Sequence, residues 1–209
     1  DRVWDHVGRG ARDSLIRTGG AQEGDSIVIT KGIAIEGTAL LALERTDDLR
    51  MAGVSDDTIA LSVDLLHSTG ISVIEDAQIA CTTAQVHSMH DVTEGGLITG
   101  LREVAAASGL GLAIEGGSVP VLPTTLEVCQ ALGLDPLGLL ASGALIITLS
   151  PIEVPSLLAE LEEKGIDGME IGVMMAPEEG LVYIGREGEV DLPQFSRDEL
   201  ARYFSRSTP

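Results

Sequence analysis

Short apolar runs rich in Ile and Val alternate along this chain with segments whose apolar side chains recur every three to four positions. The runs have the length of strands, and the periodic segments are long enough for helices. Elements of both kinds bury their apolar surfaces together when helices cover a sheet. The expected fold is therefore α+β, a mixed β-sheet layered with helices in an α/β/α arrangement. Strands are predicted over 26–31, 86–91, 111–115, 144–149, 170–175 and 180–185. Helices are predicted over 36–44, 55–68, 72–83, 97–108, 123–132 and 151–164, with a short one in the tail from Ser196. Ser55-Asp56-Asp57 and Ser150-Pro151 carry start signals, and Gly109 and Gly165 carry stop signals.

Charge narrows the function classes. The formal net charge is -20 with only 13 Lys and Arg, which repels phosphodiester backbones, so no nucleic-acid partner is expected. The longest apolar stretch, Leu137 to Leu149, is broken by Ser and Gly and falls short of the roughly 20 residues of a membrane helix, so no membrane span is expected. Cys81 and Cys129 sit too far apart for a disulfide scaffold and are expected to be buried free thiols of a cytoplasmic protein. His6, His67 and His87 lack a ligand spacing for zinc and read as surface or capping residues, so no metal site is assigned to this chain.

Two strand-to-helix turns carry the polar chemistry. In Met89-His90-Asp91-Val92-Thr93-Glu94-Gly95-Gly96-Leu97 a strand ends in polar residues and two glycines open a helix. A helix start offers unpaired N–H groups and the positive end of its dipole, a seat for an anion. Asp91 is suited to a magnesium ion or a hydroxyl and His90 to proton exchange. Thr93 as a plain N-cap and Asp91 as a turn-former account for the same pattern. The second turn places Lys31 at a strand end and Glu36-Gly37-Thr38 at a helix start, where Lys31 can meet an oxygen that gains charge during reaction. Neither a P-loop nor a three-glycine dinucleotide fingerprint is present. No Gly-x-Ser-x-Gly elbow occurs, and neither cysteine has the local pattern of an activated thiol.

Taken in order, Gly24-Asp25 through Lys31 with Ile35-Glu36-Gly37-Thr38-Ala39, then Met89 to Leu97, then Leu134-Asp135-Pro136-Leu137 with Ala141-Ser142-Gly143-Ala144-Leu145, resemble the C-terminal domain of the aminoimidazole-ribonucleotide (AIR) synthetase, or PurM, superfamily. That superfamily includes selenophosphate synthetase, formylglycinamidine ribonucleotide synthetase, thiamine-monophosphate kinase and HypE. The resemblance runs from about Thr18 onward and is strongest to the HypE branch. It implies that residues 1–24 are a linker leading from a missing N-terminal domain that holds ATP and magnesium and forms a homodimer. It implies that residues 25–209 are the substrate-side domain, with a partly ferredoxin-like topology. The implied chemistry is ATP-driven phosphorylation of an amide, carbonyl or carbamoyl oxygen. For HypE this is dehydration of a protein-bound thiocarbamate carried on a C-terminal cysteine.

On that resemblance His90, Asp91 and Lys31 are the expected catalytic residues, and Thr93, Gly95, Gly96, Glu36 and Ser142 the expected cofactor-binding residues. Two departures stand out. The sequence ends Phe204-Ser205-Arg206-Ser207-Thr208-Pro209 without a cysteine, and Ser142 replaces the acidic residue of the HypE Asn-Glu-Gly run. They point to a HypE-like relative with a small-molecule or carbamoyl-type substrate of its own. The competing expectation is a domain that keeps the fold and binds a ligand or partner without catalysis.

Overall fold

The computed structural model describes residues 15–206. Trp4 and His6 lie outside the described residues, as does most of the expected 1–24 linker. The sheet has seven strands: β1 (Ser26–Thr30), β2 (Val86–Asp91), β3 (Gly111–Glu115), β4 (Leu145–Leu149), β5 (Gly168–Met175), β6 (Leu181–Gly185) and β7 (Gly188–Asp191). Their order is β2-β4-β1-β5-β3-β6-β7. Every pairing is antiparallel except β3 with β6, so the sheet is mixed as expected.

The helices are α1 (Ile35–Glu44), α2 (Thr46–Met51), α3 (Asp56–Leu65), α4 (Ile74–Thr83), α5 (Gly96–Ser108), α6 (Pro123–Leu132), α7 (Val154–Glu163) and α8 (Glu199–Arg206). β1 lies centrally and is buried on both faces, which explains its unbroken Ile27-Val28-Ile29 run. Alternation sends Ile27 and Ile29 towards Leu97, Ile98, Leu101 and Val104 of α5. Val28 joins Leu145, Ile147, Leu149 and the apolar sides of α4 and α7 on the opposite face. Each such side chain, fully withdrawn from water, contributes about 1.5–3 kcal/mol. Beyond the sheet, α1, α2, α3, α6 and α8 share a third core around Leu41, Leu49, Ile59 and Val128.

The ferredoxin-like part is the β4-α7-β5 unit. Both strands run antiparallel to β1, hence parallel to each other, with β1 inserted between them. A ferredoxin-like fold stacks its two helices on one face. Here α5 and α7 lie on opposite faces, so the likeness is partial.

Several local expectations shift. α2 and β7 were not anticipated, and α3 ends at Leu65 in a π turn over Leu66–Gly70. Cys129 is buried, and burial pushes its thiol up to about 12. Cys81 is exposed: Ile79 and Ala80 turn inward from α4, and the next residue falls on the outer flank. His87 is no free surface residue, because its Nδ1 lies 2.8 Å from Oδ1 of buried Asp25. Residues at the end of the expected linker are tied down as well. The Thr18 carbonyl accepts from Ser88 Oγ at 2.7 Å, and the Gly24 N–H donates to Met174 O at 2.9 Å. Among the described residues no helix is long and apolar enough to cross a membrane.

Candidate functional site

β1 and β2 are each antiparallel to β4, so they are parallel to each other and end at the same edge of the sheet. Lys31 follows β1 there, Asp91 closes β2, and residues 141–144 enter β4 between them. Three backbone bonds fasten that entry. Ala141 N–H donates to Thr93 O at 3.2 Å, Val92 N–H to Ala144 O at 3.1 Å, and Gly37 N–H at the start of α1 to Leu140 O at 3.0 Å. Thr93, Ser142 and Glu36 are thereby gathered around the strand ends. α4 runs back towards the beginning of β2, which puts its first turn, and Asp76, at the same edge.

The β1-to-α1 turn carries two non-glycine residues in the left-handed region, Lys31 at φ 62° and Ala34 at φ 59°. That conformation crowds a Cβ and persists where surroundings over-determine it, a pattern concentrated at functional sites. It turns the Lys31 side chain out of the sheet towards α4. Its Nζ donates to Ser72 O at 2.6 Å and lies 3.0 Å from Asp76 Oδ2. Both members are withdrawn from water, with 9% and 1% of their side-chain surface exposed.

Asp91 is exposed as a residue, yet its neighbours partly desolvate the carboxyl and push its pKa above the usual carboxylate range. His90 and Lys31 pull it back, while Asp76 and Glu36 push it further up. Of these carboxyl groups, Asp76 is the one paired with the Lys31 ammonium. Strand parity separates the expected pair His90 and Asp91: the His90 ring packs on the α5 side, with Nε2 2.8 Å from Glu103 Oε2 and Nδ1 3.3 Å from Thr18 Oγ1. The structure puts Lys31, Glu36, Asp91, Thr93 and Ser142 at one end of the sheet and turns the His90 ring to the α5 side.

The glycine pair has a different use from the one its sequence suggests. Gly95 (φ 80°) is the N-cap of α5, so Thr93 does not cap that helix. The Gly95 N–H donates to Asp198 Oδ2 at 2.6 Å, and Asp198 Oδ1 accepts from Leu200 N–H at 2.7 Å. The anion at this helix start is thus a carboxylate of the chain itself. Gly96 is required by space, since a Cβ there would stand 2.6 Å from Leu137 O. Asp76 and Asp198 are the residues that sequence reasoning missed. The acid in the first turn of α4 looks like ordinary dipole chemistry, and Asp198 lies 103 positions from its partner.

On the α5 side of the Lys31 backbone opens a cavity of about 260 Å³, walled by Ile29, Val121, Leu122 and Met169 with Asp167 at its rim. Lys31 lines it, although its ammonium is held on the α4 side. The polar chemistry therefore lies with Asp91 and Asp76 rather than in this largely apolar opening.

Residues 22–184 match the family described as AIR synthase related protein, C-terminal domain. The carbamoyl dehydratase HypE of Cupriavidus necator is 31% identical over 147 residues, covering 70% of this chain and 38% of that protein. The crystal structure of E. coli HypE superposes with a TM-score of 0.72 at 24% identity, covering 90% of this chain and 55% of that one. A HypE structure in complex with ATP gives a TM-score of 0.67 at 23% identity, over 92% and 57% of the two chains. At these identities the two structures establish the fold. The chain spans about half the length of the HypE structures and less of the Cupriavidus protein. With the strand-end cluster and the sheet order both in hand, the chain belongs to the AIR synthase related protein family and covers its C-terminal domain.

Proposed function

We propose that this chain is the substrate-side domain of a HypE-like enzyme that uses ATP to phosphorylate, and so activate, an amide or carbamoyl oxygen. The observation that carries the reading is that Lys31, Asp91, Glu36, Thr93 and Ser142 all lie at the same end of the sheet, with Lys31 and Glu36 both acting on the Asp91 carboxyl. An ammonium fixed beside carboxylates suits a carbonyl group whose nitrogen bears hydrogens. Lys31 donates to the oxygen as it gains charge, and Asp91 and Glu36 accept from the N–H groups. Relatives named carbamoyl dehydratase act in the same chemical class, and a related HypE binds ATP.

The residues here do not by themselves fit a triphosphate with its magnesium. Among the described residues no three His, Cys, Asp or Glu side chains come together as cation ligands, and the α5 start already holds Asp198. ATP, magnesium and homodimer contacts are therefore assigned in this reading to the part of HypE that the chain does not span. The free thiols of Cys81 and Cys129 suit a reducing compartment such as the cytoplasm.

The test is magnesium-dependent ATP hydrolysis by the natural polypeptide at full length, beside Asp91→Ala and Lys31→Met variants checked for folding. Hydrolysis that both variants weaken, and that amide or carbamoyl compounds stimulate, is the expected result. A natural polypeptide that neither binds nor hydrolyses ATP sinks the reading. It would leave the alternative of a non-catalytic ligand- or partner-binding domain, which the Asp198 carboxylate on the Gly95 N–H favours.

A further inference from the structure

Asp76 is fully buried, 0% exposed, in the first turn of α4. Neither of its oxygens accepts a well-formed hydrogen bond from any described residue, and its cation is Lys31 Nζ at 3.0 Å. A buried carboxylate without hydrogen bonds is costly to keep, since desolvation exceeds what one pairing returns. An aliphatic residue would serve the core of α4 better, so stability does not account for Asp76. Its geometry does. An ammonium has three N–H donors. Ser72 O engages one at 2.6 Å, while Asp76 holds the charge through an ion pair at 3.0 Å, which leaves N–H donors for a ligand oxygen. The Lys31 backbone is pinned too, with its N–H on Asp167 O at 2.6 Å and its φ at 62°.

We propose that Asp76 is the positioning residue of the site, acting through Lys31: its ion pair and the hydrogen bond to the Ser72 carbonyl together fix the ammonium so that an N–H not engaged by Ser72 meets the substrate oxygen. This rests on the reading that Lys31 faces the reacting oxygen. Asp76 itself touches no substrate, because its oxygens are sealed behind the lysine. A free lysine on a four-carbon stem samples many rotamers, and a tether at Nζ removes that freedom before the substrate arrives.

The experiment is a double-variant cycle in the full-length natural polypeptide with Asp76→Asn, Lys31→Met and both together, each checked by thermal melting. Two readouts are taken: steady-state ATP turnover, and acylation of Lys31 by acetic anhydride followed by mass spectrometry. Asp76→Asn is expected to lower kcat by about tenfold or more while nucleotide KM stays within about twofold. It is also expected to raise the Lys31 acylation rate severalfold, because the amine is released. The double variant should lose no more turnover than Lys31→Met alone, the signature of two residues acting as one. Where Lys31→Met fails to fold because it strands a buried carboxylate, the double variant removes that charge and is compared with Asp76→Asn. Additive losses, or a Lys31 acylation rate unchanged by Asp76→Asn, overturn the proposal. Absence of ATP turnover in the parent defeats the functional reading instead, and the acylation readout still decides whether Asp76 holds the lysine.

Discussion

The two strand-to-helix turns at the functional edge are built from opposite materials. In the β1-to-α1 turn the left-handed positions are Lys31 and Ala34, residues for which that conformation is strained. In the β2-to-α5 turn they are Gly95 and Gly96, for which it costs little. The first turn ends in an ammonium held beside a carboxylate without hydrogen bonds. The second ends in a helix start closed by Asp198. Strain and an underpaired charge collect in one turn, whereas satisfied bonds and close packing collect in the other. The difference matches the proposed role of Lys31 in the first turn, and it gives the glycine pair of the second the task of holding the tail and α5 in place.

The sharpest way to break this contrast is Gly96→Ala. The new Cβ would stand 2.6 Å from Leu137 O and 2.8 Å from Leu139 O at φ 67°. Backbone strain and overpacking add, so unfolding free energy should fall by about 3 kcal/mol, read by urea denaturation. A loss below about 1 kcal/mol would show that the second turn is not the rigid one.

Next in size is Asp198→Ala, which removes the acceptor of the Gly95 and Leu200 N–H groups. Two charge-assisted bonds are lost, one at the start of α5 and one at the start of α8, and about 2 kcal/mol should go with them. Amide exchange at Gly95 should speed up in the same variant. Unchanged protection at Gly95 would mean that the tail does not close this turn in solution.

How much of this was legible in the sequence follows from what each signal depends on. The strands Ser26–Thr30 and Leu145–Leu149 were readable because strands buried on both faces must be apolar throughout. β7 was not, since Gly188 to Asp191 is exposed at every position and carries no periodicity. α2 escaped because its six residues bury Leu49 alone. In the site, Lys31 and Asp91 were readable as polar residues at strand ends. The period of two in a strand already forbade His90 from sharing a face with Asp91. Asp76 and Asp198 were beyond reach, because what each of them does is fixed by a partner far away in sequence.

A smaller effect tests the strain itself. Ala34 is fully buried, so deleting its methyl by Ala34→Gly removes packing, but it also releases the left-handed strain at φ 59°. The two should nearly cancel, leaving stability within about 0.5 kcal/mol of the parent. Ala39→Gly deletes an equally buried methyl inside α1, where nothing is released, and should cost about 1.5 kcal/mol. Equal losses at the two positions would remove the case for strain in the first turn.

The finest test uses pH. The Asp91 carboxyl has a folded-state pKa above the usual range, chiefly through desolvation. A raised carboxyl stabilises the fold while protonated in both states, below the unfolded value of about 3.9, and that contribution is lost as pH rises through the folded value. At neutral pH the parent therefore carries a penalty that Asp91→Asn lacks. The variant should melt with the parent at about pH 3 and slightly above it at about pH 7. A difference independent of pH would mean that desolvation in the fold does not raise the Asp91 carboxyl. The same substitution is expected to depress ATP turnover in the full-length polypeptide. Higher stability with lower activity in one variant is the pattern of a group kept for chemistry, and Gly96→Ala, which loses stability, should show no such opposition.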